Sequence, residues 1–381
     1  METEKGTRNL PRPIPERIKE AREARGFTLE TFAEAVGVSR QAIAQFETGQ
    51  IGPSSDVMGK IIALTAQPPG FFVTPHQRAS DDIAPFWRSL KRMEEHHRRR
   101  VARRLQWAYD VAEYVGRFID LAEVRLPHIE FDPDAGTDED IEQTARAVRD
   151  LWDCGLGAIA NLAAIFEDNG IVLIHEPVGC ADMDAVSCWQ RGRPFILYSS
   201  EVTSGPRSKF NLAHELGHII LHAGVEVNSR NIDKIEKQAN RFAGAFLLPR
   251  ETFAREVLGT SIQYLTQLKA RWGVAIAAMA YRGKDLGVLS KTQLSYVMRQ
   301  MNYQKIREVE PLDELFTAGK PSILAETLRM LISNGVQTKA QIEQSIPINL
   351  ADIESLCGVP QGYLDTRIVQ LHNKPRLRIV N

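Results

Sequence analysis

Apolar positions at the start of the chain recur with helical spacing. Residues 14–24 read as a short amphipathic helix stopped by Gly26. Thr28 is a good N-cap. A second helix is read over residues 31–36, with Leu29, Phe32, Ala33 and Val36 on its apolar face, and Gly37 ends it. Ser39 caps a third helix over residues 40–47, with Ile43 facing inward. Two short helices joined by a Gly-Val-Ser turn form a helix-turn-helix pattern. A further helix over residues 57–64 closes the small core.

Further along, the period changes and changes back. Thr137 can cap a helix with an acidic first turn (Asp138, Glu139, Asp140) that runs to about Trp152, and residues 158–167 read as another helix. Gly170-Ile-Val-Leu-Ile, Ala185-Val-Ser-Cys-Trp and Pro194-Phe-Ile-Leu-Tyr read as three strands. Leu212, Ala213, Leu216, Ile219 and Ile220 then mark an apolar helix. Ile235, Ala239, Phe242, Ala243 and Phe246 mark the inner face of a second one. The tail reads as helices over 264–272, 275–286, 292–306 and 323–334, with a final pair around Leu356. Gly273 between the first two suggests a second helix-turn-helix-like unit.

Composition narrows the class. The 381 residues correspond to two or three domains at roughly 150 residues each. At 43% hydrophobic, 25% charged and net charge -1, this is an ordinary globular chain, not a disordered one. No apolar run approaches the roughly 18 residues needed to span a bilayer, and the polar start does not read as a signal peptide. Four cysteines without a Cys-x-x-Cys pair argue against a disulfide framework or a thiolate zinc site, so a cytoplasmic location is expected. The balanced total hides local blocks. Residues 88–104 hold eight basic side chains (Arg88, Lys91, Arg92, Arg98, Arg99, Arg100, Arg103, Arg104) against Glu94 and Glu95. Residues 130–153 hold nine acidic ones against Arg146 and Arg149. That polarity marks a boundary between units. The basic end, Lys374-Pro-Arg-Leu-Arg, reads as a solvated tail.

The sharpest chemical signal is Phe210-Asn-Leu-Ala-His214-Glu215-Leu-Gly-His218-Ile-Ile-Leu-His222. His214 and His218 fall one helical turn apart on one face, able to share a cation. Zinc takes neutral imidazole nitrogen and lowers the pKa of a water it binds to about 7, on which Glu215 can act as general base. A catalytic site needs a third protein ligand. His222 is a poor one, because it lies about 12 Å from His214 along a straight helix, whereas two zinc–nitrogen bonds span only about 4 Å. It reads as an edge or structural histidine. Glu236, beside Ile235 and one turn before Ala239, is the better third ligand, and Asn240 could hydrogen-bond a ligating histidine. Oxyanion donors beyond the metal are left open among His175, Tyr198, Arg207 and His222. In the first unit, Thr28, Ser39, Arg40, Gln41 and Gln45 are the candidate DNA contacts, since the start of the third helix would enter a major groove. Residues 1–75 carry nine basic and nine acidic side chains, so charge alone does not mark a DNA face there.

Two resemblances carry these readings further. The run FTLETFAEAVGVSRQAIAQFETGQIGPS resembles the Xre (lambda-repressor-like) helix-turn-helix family, with Ala33, Gly37, Val38, Ser39, Ile43, Glu47, Gly49 and Pro53 at its structural positions. Leu29 departs from the Gln that many members use to hold the DNA backbone. The runs RSKFNLAHELGHIILH and EKQANRFAGAFLLP resemble the ImmA/IrrE family of zinc metallopeptidases. That resemblance implies a gluzincin-like α+β unit with Zn2+ as cofactor, His214, His218 and Glu236 as ligands and Glu215 as the catalytic residue.

The expected architecture is therefore multidomain and mainly α. An all-α helix-turn-helix DNA-binding domain spans 10–75 and a helical connector 76–135. An α+β zinc peptidase domain with a small sheet spans 136–255, and a helical C-terminal region 256–381. The resemblances imply a bacterial or phage-type regulator that binds a double-stranded DNA operator. It would also cleave a protein substrate, a partner repressor, as a zinc metalloendopeptidase. The rival reading is a transcription factor whose HExxH unit is a non-cleaving metal or ligand sensor. The tail is assigned to substrate docking or dimerisation, which leaves a homodimer open, and no membrane partner is expected.

Overall fold

The computed structural model describes residues 12–75, 94–180, 183–228, 230–316 and 319–365. Arg88, Lys91 and Arg92 of the basic block, and the basic end at Lys374, lie outside them. Among the described residues are sixteen α-helices and one three-stranded sheet.

The first four helices are α1 (Pro15–Ala24), α2 (Leu29–Val36), α3 (Arg40–Glu47) and α4 (Ser55–Thr65). Their ends follow from local chemistry. The Thr28 hydroxyl accepts from the Thr31 amide and Thr31 reciprocates, so α2 starts at Leu29, earlier than periodicity alone suggests. Gly37 ends α2 at φ 81°, a left-handed conformation that favours glycine. Ser39 accepts from the Ala42 amide at 3.1 Å and opens α3. Ser54 does the same for α4. Ile18, Phe32, Val36, Ile43, Phe46 and Ile61 fill the core between them. A buried pair, Arg22 Nε to Glu47 Oε1 at 2.6 Å, ties α1 to α3.

Helix α5 (Glu95–Val115) packs against α1. Trp107 Nε1 donates to Glu20 at 2.6 Å and Arg103 Nε to Glu23 at 2.9 Å. Arg99 and Arg103 of the basic block thus both engage Glu23 of α1. Helix α5 ends at Val115, and residues 120–132 run as a strap with neither helix nor strand, ending in a turn that begins at Pro133. Pro127 and Pro133 cannot donate to a helical ladder, and Val124, Leu126, Ile129 and Phe131 turn inward while the polar residues between them face out.

The sheet holds β1 (Val172–Glu176), β2 (Ala185–Gln190) and β3 (Arg193–Ser199) in the order β1-β3-β2. β1 runs parallel to β3 and β2 antiparallel to it. Helix α6 (Asp138–Leu151) starts at Thr137 with a reciprocal cap to Asp140. Helix α7 (Leu162–Asp168) is shorter than residues 158–167, because the Asn161 side chain accepts from Ala164 N and fixes the start there.

Strand alternation sends the two sheet faces to different cores. Leu173, Ala185, Ile196 and Tyr198 join α6, α7, α8 (Gly205–Leu221), α9 (Ile232–Leu247), α11 (Ile262–Trp272), α12 (Ile276–Asp285) and α13 (Lys291–Tyr303); α10 (Arg250–Phe253) is one short turn. Val172, Ile174, Val186, Cys188, Phe195 and Leu197 join α1 to α5 and the end of the chain, α14 (Ile323–Ser333), α15 (Lys339–Ser345) and α16 (Leu350–Cys357). The C-terminal third therefore serves two cores, and the N-terminal helices share the second of them with the sheet through α5. A polar knot crosses this second core. Asp352 of α16 accepts from Arg25 at 2.8 and 2.7 Å, Gln67 at 2.9 Å and Arg104 at 2.6 Å. Arg104 also donates to Glu176 of β1 at 2.8 Å.

Helices α11 and α12, joined at Gly273 (φ 60°), repeat the helix-turn-helix outline. The first amides of α12 are already taken: Glu310 accepts from Ile276 N at 2.7 Å and Ala277 N at 3.2 Å. Those donors face a carboxylate of the same chain instead of a phosphate. No helix among the described residues is long and apolar enough to cross a membrane.

Candidate metal centre and nucleic-acid interface

Helices α8 and α9 build the centre. Ser204 caps α8 and Pro206 sits in its first turn, where a missing N–H costs nothing. Gly217 lets the helices close: a Cβ there would stand 3.2 Å from Ala239 Cα and 3.2 Å from a Phe242 ring carbon. That approach brings Glu236 of α9 onto the histidines of α8.

The His214 and His218 Nε2 atoms lie 3.0 Å apart. Glu236 Oε2 lies 3.2 Å from the first and Oε1 lies 3.0 Å from the second. Donors bound at 2.0–2.1 Å in a tetrahedron stand about 3.3 Å apart, so these separations fit one small cation. A carboxylate this buried, between two imidazoles, also calls for a compensating positive charge. Among the described residues, these three form the one group of three or more such side chains close enough to share an ion.

The surrounding contacts orient the three. Asn240 Oδ1 stands 3.1 Å from His214 Nδ1. His218 Nδ1 stands 3.1 Å from His222 Nδ1, and His222 Nε2 3.1 Å from Gln238 Oε1. His222 is the C-cap of α8 and fully buried, behind the donor triangle and not in it. Burial pushes its pKa down to about 4, with Gln238 opposing, so the ring is neutral. Glu215, next to His214 on α8, is buried. The Ser187 hydroxyl of β2 donates to its Oε2 at 2.6 Å. Burial pushes the Glu215 carboxyl up to about 7, against the Ser187 hydroxyl and amide, which pull it down.

The four oxyanion candidates are differently placed. Tyr198 donates to the Gly319 carbonyl and Arg207 pairs with Asp184 at 2.7 Å. His222 is held as above. His175 stacks on Tyr198 at 4.5 Å, with a buried Nε2 that has no hydrogen-bond partner among the described residues. Ser187, Gln238 and the Pro133 carbonyl behind it were not legible in the sequence. Each meets its partner across 16 to 105 residues, where no local spacing signals it.

In the first unit, Ser39, Arg40 and Gln41 are exposed at the start of α3, Thr28 caps α2 and Gln45 is half-buried one turn on. α3 packs on α1 and α2 through Ile43 and Phe46, and its first residues lie on the exposed side.

Comparison with known proteins gives both units a family. Residues 166–284 match the IrrE N-terminal-like domain, and residues 18–72 match the helix-turn-helix family. The chain is also similar to the HTH-type transcriptional regulator SutR of Escherichia coli (strain K12). That similarity is 32% identity over 75 residues, 20% of this chain and 42% of that protein's length. The chain thus spans less than half of that relative. With capped helices before the sheet and an HExxH helix after it, the chain carries an Xre-type helix-turn-helix domain and an IrrE/ImmA-like peptidase-family domain.

Proposed function

We propose that this chain is a transcription regulator that binds a DNA operator through α3 and cuts a protein partner, a repressor, at a zinc centre held by His214, His218 and Glu236. The observation that carries the reading is the triangle of three donors with buried Glu215 beside it, on a chain that also presents an exposed α3. The name of the matched regulator supports the first half of the reading and the peptidase-family match the second.

A divalent cation at this centre supplies Lewis-acid polarisation of water and of the scissile carbonyl. The residues of the chain supply the rest. His214, held through Nδ1 by Asn240, and His218 present Nε2 lone pairs, and Glu236 balances charge. Ser187 holds Glu215 by Oε2, leaving Oε1 to take a proton from the attacking water and return it to the leaving amine. β2, an edge strand of the sheet beside α8, offers its unpaired side to an extended substrate segment.

The test pairs the unmodified chain with Glu215→Gln. Each is mixed with a candidate repressor substrate, and products are read by mass spectrometry. A single cut made by the unmodified chain alone is the expected result. An intact repressor in both tubes, with zinc bound and operator present, would leave the cleavage reading without support. A second reading, a non-cleaving sensor, is favoured by one observation: Arg104 joins β1 of the peptidase unit to α16 and, through Asp352, to Arg25 of the DNA-binding unit. In that case zinc removal changes operator affinity while no substrate is cut.

A further inference from the structure

We propose that His222 and Gln238 are positioning residues that tie the metal-facing ring of His218 to the Pro133 carbonyl at the end of the strap. The inference rests on the metal-centre reading above and adds to it residues that hold a ligand without touching the ion.

The direction of the chain of hydrogen bonds follows from its far end. The Pro133 carbonyl can only accept, and Gln238 Nε2 donates to it at 2.9 Å. Gln238 must then turn Oε1 toward His222, 3.1 Å away. An amide oxygen only accepts, so His222 carries its proton on Nε2. His222 is fully buried and its ring nitrogens meet Gln238 and His218, not a carboxylate that would hold a second proton, so its Nδ1 is an acceptor. Its neighbour at 3.1 Å, His218 Nδ1, must be the donor. With its proton on Nδ1, His218 has a lone pair on Nε2, the atom that faces His214 Nε2 at 3.0 Å and Glu236 at 3.0 Å. One carbonyl at the end of the strap thus fixes the tautomer of a ligand three hydrogen bonds away.

The path is built to persist. His222 and Gln238 are buried, and the Phe131 ring closes edge-on over His222 at 6.3 Å. Lys234 of α9 donates to the Asp134 carbonyl at 2.7 Å and pins the strap beside Pro133. Pro133 precedes the segment that matches the peptidase family, so the strap completes a centre whose donors lie in α8 and α9.

Three variants separate hydrogen bonding from volume. His222→Phe keeps a ring of similar size and removes the acceptor. His222→Gln loses the ring and keeps an acceptor and a donor. Gln238→Met keeps the volume of Gln238 and breaks the next link. Zinc affinity is read by competition with a chromophoric chelator, with thermal unfolding as the check on folding. The proposal expects His222→Phe and Gln238→Met to bind zinc about 10–100-fold more weakly. It expects His222→Gln to retain more affinity than His222→Phe. A role in packing alone predicts the reverse order for the two His222 variants, and that result would overturn the proposal, as would equal affinity throughout. Ring nitrogens of the metal-free protein are read in parallel by 15N NMR. A proton on His218 Nδ1, lost in Gln238→Met, supports the relay, and a proton on Nε2 overturns it. If the unmodified chain binds no zinc, the metal reading fails by itself while the ring tautomer still decides the relay.

Discussion

Glu215 and Glu236 are both buried, yet their neighbours differ. Glu236 lies between two imidazole nitrogens, at 3.2 and 3.0 Å, and completes a donor triangle. Glu215 faces a serine hydroxyl and stays outside the triangle. Glu215→Gln should therefore retain the metal and lower hydrolysis by about 10²–10⁴, the range of general acid–base catalysis, in a cleavage assay on the repressor. Retained cleavage would remove Glu215 from the reaction. At this scale the sequence was informative where chemistry is local. The His214–His218 spacing, the Glu236 position beside Ile235 and the Asn240 position one turn on all follow from helical geometry. The contacts of Ser187 and Gln238 did not, because sheet-to-helix and strap-to-helix pairs leave no mark in periodicity.

Elements were legible in proportion to their caps. α3 matches residues 40–47 because Ser39 and the apolar face of Ile43 and Phe46 both act locally. α2 gained two residues through the reciprocal Thr28–Thr31 cap, and α7 lost its first turn to Asn161. The strap read as helical connector, although two prolines and alternating apolar residues favour extended backbone there. Two predictions belong to elements. Gly217→Ala should push α9 from α8, destabilise by about 1–3 kcal/mol in denaturant unfolding, and weaken zinc binding as Glu236 retreats. Unchanged stability and affinity would mean that the helices have room to spare. In α3, Arg40→Ala or Gln41→Ala should cost about 1–3 kcal/mol of operator binding if the side chain reads a base edge. Fluorescence anisotropy on operator and scrambled duplexes measures it. An equal loss on both duplexes would assign these residues to the phosphate backbone.

Across the whole molecule, the two units share a core rather than hang on a linker. Asp352 lies at the joint, between Arg25 and Arg104. Removing one partner of a buried pair costs about 3–5 kcal/mol, because the other charges lose compensation, so Asp352→Asn should be strongly destabilised. Burial pushes the Asp352 carboxyl up, but hydrogen bonds from Arg25 and the charges of both arginines outweigh it and hold it below the ordinary carboxylate range. A carboxyl held low in the folded state stabilises above its unfolded value, about 3.9, and loses that contribution as pH falls through the lower folded value. The gap in thermal midpoint between the unmodified chain and Asp352→Asn should therefore stay constant above about pH 5 and narrow below about pH 4. A gap constant to pH 2 would show that Asp352 is not held low. None of this joint was legible in the sequence: Arg25 and Asp352 stand 327 residues apart, and only the fold brings them together.

The central claim is that His214, His218 and Glu236 hold one ion and Glu215 does not. Bound zinc per chain, measured by inductively coupled plasma mass spectrometry after dialysis against metal-free buffer, tests it most directly. The account predicts about one ion in the unmodified chain and in Glu215→Gln, and strong depletion in His214→Ala and Glu236→Ala. Zinc absent from the unmodified chain, or undiminished when a ligand is removed, would contradict it.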